Sequence, residues 1–132
     1  MRSAPRLLLV VIFLTLSIAP AAGDVYVYGT ALGLYEDCAA GEGENSAVAD
    51  EKHRHCTDYI GVIFNDWNLS QDIGVCSRHF GSELRTAYVD YWRARGLGFP
   101  SGIFLSAETS VREFLDSQTQ PCPKPNPKAN PP

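Results

Sequence analysis

Four cysteines, Cys38, Cys56, Cys76 and Cys122, and one short run, His53-Arg54-His55-Cys56, are the residues of this 132-residue sequence whose types could do chemistry at close spacing. The cysteines lie 18, 20 and 46 positions apart, with no C-x-x-C pair and no close Cys/His cluster, so zinc ligation and thiol exchange lack their usual spacing. An even count in a chain of this size reads instead as a disulfide framework, for which three pairings exist. The histidine run, with Glu51 and Asp58 nearby, invites a metal site. On a helix, however, positions 53 and 55 point about 200° apart, whereas ligands on one face need steps of three or four. A solvated helix face is therefore expected there, with no metal and no cofactor.

Nucleophilic chemistry finds no better support. The sequence has no G-x-S-x-G elbow and no phosphate-cradling glycine loop, and its fifteen acids are expected to solvate helix faces rather than form a placed acid/base pair. The protein is thus expected not to be an enzyme. Asn68-Leu69-Ser70 matches a glycosylation sequon. Among the aromatics, Tyr88 and Tyr91 are expected in the core. Trp67 lies between Asp66 and Asn68 in the polar stretch 65–72, the usual setting of a protein-binding anchor. Asp66 and Asp72 beside it would steer a cationic partner, and Phe99, among glycines, is a second candidate contact.

These residues must be positioned by helices. Tyr28, Leu32 and Tyr35 recur at helical spacing, with Ala31 and Leu34 beside them, before the break at residues 41–45 (GEGEN). Ser46 is expected to cap a long second helix whose stripe is Cys56, Tyr59/Ile60, Ile63 and Trp67. Ser82 is expected to cap a third, carrying Leu84, Ala87/Tyr88 and Tyr91 and stopped by Gly96. A fourth is expected over residues 101–117, with Ile103, Ala107, Val111 and Phe114 on one face. The fold expected is all-α: a small antiparallel four-helix domain stapled by two disulfides. Up-down hairpins bring Cys38 to Cys56 and Cys76 to Cys122, which selects that pairing.

Composition sets the frame. With 45% hydrophobic and 20% charged residues the chain is neither disordered nor collagen-like, and its length suits one domain. Residues 7–18 (LLLVVIFLTLSI) carry no charge, follow Arg2 and Arg6, and precede small residues at 19–23. They are too short for a span of about 20 residues and read as a secretory signal peptide over residues 1–23. The expected mature chain is periplasmic or secreted and leaves the membrane after cleavage. Its domain covers residues 24–122, followed by a proline-rich, disordered tail over 123–132. The mature chain has nine basic and fifteen acidic residues, a field that repels phosphate backbones and excludes nucleic acid as an expected partner.

The order and spacing of the cysteines resemble those of the Rap/Tai immunity proteins, which protect bacteria against amidase effectors of type VI secretion. The likeness covers most of the mature chain: a first helix ending near Cys38, then Cys56-Thr57-Asp58-Tyr59-Ile60, then Cys76 ahead of a helix pair that ends in Pro121-Cys122. Gly61 directly adjoins Ile60, and Ser77-Arg78-His79 lacks the proline often found after the third cysteine. The resemblance implies an all-helical periplasmic protein, commonly a homodimer, that binds a cognate peptidoglycan amidase effector and occludes its active-site cleft without catalytic residues of its own. The competing expectation is a small periplasmic stress chaperone or a binding module for another partner.

Overall fold

Cys56, Ile60, Ile63 and Trp67 follow one another at steps of four, three and four, and this stripe is the buried face of the longest helix, α2 (Ser46–Leu69). The computed structural model describes residues 26–41, 45–97 and 101–125. Around α2 it arranges α1 (Ala31–Cys38), β1 (Val75–Ser77), α3 (Glu83–Arg95), α4 (Ser101–Phe104), α5 (Ala107–Ser117) and β2 (Thr119–Pro121). The described residues pack as one mostly helical unit, and no helix among them is long and apolar enough to cross a membrane. The expected signal peptide, residues 1–23, lies outside the described residues. Of the expected tail, residues 123–125 are exposed and irregular, and the remainder lies outside the description as well.

The four-helix expectation needs two corrections. The helix expected over residues 101–117 is broken at Leu105 and Ser106, because their backbone is drawn into a bridge with Thr30, where the Ala31 N–H donates to the Leu105 carbonyl at 2.8 Å. Ser106 is extended there, and its Oγ accepts from the Thr109 N–H at 3.1 Å, so it caps α5 as a new helix. The second correction is a sheet: β1 and β2 pair antiparallel, with Val75 opposite Pro121, Cys76 opposite Gln120 and Ser77 opposite Thr119. Pro121 has no N–H to give, which an edge strand tolerates.

Smaller differences are local. α1 is capped by Thr30, whose Oγ1 accepts from the Gly33 N–H, and of the expected apolar residues it buries Ala31 and Leu34, with Cys38, while Leu32 and Tyr35 are half-buried. Tyr28 precedes the helix in extended chain and donates its hydroxyl to Asp37 at 2.7 Å. Asn45, not Ser46, caps α2, with Oδ1 accepting from the Ala47 N–H. Ser82 is already helical and makes no side-chain cap, and the Phe80 and Gly81 carbonyls receive the first N–H groups of α3 instead. Gly96 ends α3 as expected, at φ 66° and ψ 47°, a left-handed geometry that costs glycine little.

Both disulfides join the expected partners, Cys38 to Cys56 and Cys76 to Cys122. The first ties the end of α1 to the first half of α2. The second locks the β1–β2 clasp, which also carries hydrogen bonds from Cys122 N–H to the Gly74 carbonyl and from Arg78 N–H to the Gln118 carbonyl. Two such bridges belong to an oxidising compartment outside the cytosol. The core lies among α1, α2, α3 and α5, where Leu34, Ile60, Tyr88, Val111 and Leu115 are fully buried. Tyr88, Trp92 and Ser110 meet their polar needs within it. The Tyr88 and Ser110 hydroxyls share a 2.8 Å hydrogen bond, Ser110 donates to the Ala107 carbonyl, and the Trp92 indole donates to the Ser110 carbonyl. Burial pushes the Tyr88 hydroxyl well above the ordinary tyrosine range, with Ser110 opposing the shift.

Candidate interaction surface

The end of α2 was expected to offer Trp67 to a partner, and here the structure corrects the sequence. Trp67 is 2% exposed: its ring packs into the core beside Phe64, with centroids 6.0 Å apart, and its Nε1–H donates to Asp116 Oδ1 at 2.8 Å. Because α2 continues to Leu69, the indole keeps the phase of the buried stripe instead of fraying into solvent. Its physical role is to anchor the end of α2 against α5.

Asp66, next along the helix, is exposed but occupied. It pairs with Arg112 of α5, which also bonds Glu108 at 3.0 Å. These two hydrogen bonds hold the Arg112 guanidinium even further above its ordinary pKa. Asp72 is exposed and uses its backbone carbonyl to receive the Val75 N–H at 3.1 Å. Phe99 lies outside the described residues.

What this end of the molecule does present is aliphatic. Leu69 is 87% exposed, and Ile73, at the turn between α2 and β1, is as exposed as a side chain can be. Val62 stands two turns before Leu69 on the same face of α2 and is also exposed, with Asp66 between them. Phe80, partly exposed, rests edge-on against Phe64 across 6.4 Å between ring centroids. The sequence signal for Leu69 and Ile73 was their apolar type within a polar stretch, which the prominence of Trp67 obscured.

The turn carrying Ile73 is firmly held. The Ser70 hydroxyl and Gln71 Nε2 both donate to the Trp67 carbonyl, at 2.6 and 3.1 Å, in addition to the Ser70 N–H. Gly74 takes φ 93°, a value that side-chain-bearing residues rarely adopt, and delivers the chain into β1, where Cys76 is bridged to Cys122. Thus an apolar tip with Asp66 and Asp72 on its flanks is held by hydrogen bonds on its α2 side and by a disulfide on its β1 side. Exposed aliphatic groups that are pre-ordered in this way lose little entropy on docking.

The histidine run has separate duties. His53 hydrogen-bonds through Nε2 to the Ala40 carbonyl, whereas His55 stacks on Tyr26 at 4.7 Å and faces Glu51 at 3.8 Å. Among the described residues, no three His, Cys, Asp or Glu side chains converge as metal ligands. Comparison with protein-family models, with curated proteins and with solved structures finds no match to this chain.

Proposed function

We propose that this protein is an immunity protein of the periplasm that binds and occludes a peptidoglycan amidase effector of type VI secretion. The observation that carries this reading is the stapled turn with Leu69 and Ile73 exposed beside Asp66 and Asp72. A convex, pre-ordered tip of this kind suits insertion into the concave cleft of an enzyme, with carboxylates at its rim to steer a basic partner. The cysteine order described above supports the same assignment. Partner contact shifts from Trp67 to Leu69 and Ile73, and Asp66 acts at the rim together with Arg112.

The test is inhibition of peptidoglycan hydrolysis by an amidase encoded beside this chain. The oxidised protein is expected to inhibit it stoichiometrically. Leu69→Asp combined with Ile73→Asp is expected to weaken binding by about 2 kcal/mol or more while melting remains unchanged. Full inhibition by that folded double variant removes the turn from the interface, and failure of the parent protein to inhibit removes the immunity assignment.

A further inference from the structure

On another face of the molecule, a cleft of about 580 Å³ runs between α3 and the α5–β2 connection, in the size range of small-ligand sites. Its walls include Arg78, Glu83, Asp90, Tyr91, Phe114 and Gln118. Gln118 is the unusual member. Its backbone is fully engaged, the N–H on the Leu115 carbonyl and the carbonyl on the Arg78 N–H. The residue is 5% exposed, and neither Oε1 nor Nε2 of its side chain has a hydrogen-bond partner. A buried carboxamide with donor and acceptor both unspent is costly, and such a group is ordinarily satisfied by something.

The rest of the lining indicates what that is. A carboxamide offers an NH2 donor group and a carbonyl acceptor side by side, the complement of a peptide bond. Glu83 and Asp90 lie seven residues apart on α3, hence on one face and about 10 Å from each other. Their present partners, His79 at 3.8 Å and Arg93 at 3.6 Å, are exposed pairs that exchange readily with solvent and ligands. Arg78 adjoins Gln118 across the β-clasp and supplies a cation to the lining. Tyr91 and Phe114, with ring centroids 5.6 Å apart, add an apolar part to the wall.

We propose that this cleft binds a short peptide with a free carboxylate at Arg78, a peptide bond on the Gln118 carboxamide and a cationic group along Glu83 and Asp90. The inference is independent of the immunity assignment, because it uses neither Leu69 nor Ile73. The probe is the tripeptide Lys-Ala-Ala, titrated into the oxidised protein while the side-chain NH2 resonances of Gln118 are followed by NMR. Saturable shifts with a Kd of about 1 mM or tighter are expected, and weakening of about tenfold in Arg78→Ala and in Asp90→Asn. Gln118→Met, which fills the same space without polar atoms, is expected to weaken binding similarly while melting at the same or a higher temperature. Three results would each overturn the proposal: Gln118 resonances unmoved at about 10 mM peptide, equal shifts with the capped acidic peptide acetyl-Glu-Ala-Ala-amide, or undiminished binding by a folded Gln118→Met protein.

Discussion

Trp67→Ala removes an indole that is 2% exposed and that fastens the last turn of α2 to α5. Truncating a buried tryptophan costs about 3–5 kcal/mol, the sum of lost transfer energy and the cavity left behind. Loss of the hydrogen bond adds little, because Asp116 is exposed and its carboxylate is rehydrated once the indole is gone. For a domain of this length each kcal/mol moves the midpoint by several degrees, so a fall of about 15–30 °C is expected. Thermal melting of the oxidised protein, followed by near-ultraviolet circular dichroism, reads the change directly. Urea titration should show a lower midpoint with little change in slope. The contrasting control is Leu69→Ala, at an exposed position of the same helix end, expected to stay within about 0.5 kcal/mol of the parent. A Trp67→Ala protein melting within about 3 °C of the parent would refute the core assignment, since no cavity of that size is so cheap.

Replacing both Cys76 and Cys122 by alanine should cost about 4 kcal/mol, against about 3 kcal/mol for the Cys38 and Cys56 pair, because the separations they close are 46 and 18 residues; denaturant titration of the two variants tests the order. Gly96→Ala should destabilise by about 1 kcal/mol, since alanine must enter the left-handed region at φ 66°, and a melting curve checks it. Stability should hold up to pH 10, the ordinary tyrosine value, and then fall: the unfolded chain releases the Tyr88 proton there while the folded protein retains it, so rising pH favours unfolding. Tyr88→Phe should make that alkaline decline shallower, leaving the part due to Tyr28 and Tyr59, whose hydroxyls burial also raises, as measured by denaturant midpoints across the range.

What could be read from the sequence was whatever local periodicity or chain order determines. The buried stripe of α2, the stop at Gly96 and the cysteine pairing follow from residues within one helix or one hairpin. What escaped depends on distant partners. The break at Ser106 exists because Thr30, far earlier in the chain, takes up its backbone. Strands of three residues are too short to alternate visibly, so β1 and β2 left no pattern. The site was misread for the same reason. Asn65, Asp66 and Asn68 made Trp67 look exposed, but its hydrogen-bond partner Asp116 lies 49 residues away, and only packing reveals it. The disulfide cysteines were legible as such, whereas the solvent-facing aliphatic residues of the same turn were not.

The clasp closed by Cys76 and Cys122 also determines how the molecule bears load. Tension applied to the chain beyond Cys122 crosses the sulfur bridge and the sheet to Cys76 and continues toward α2, bypassing α3, α4 and α5 entirely. In an oxidised molecule stretched by its ends, the 45 residues between those cysteines, which are 46 positions apart, add nothing to the extension, a loss of roughly 150 Å of contour. A pulling partner or a processive protease that grips the C-terminus therefore meets a covalent stop, with the α3–α5 segment shielded behind it until the bridge is reduced.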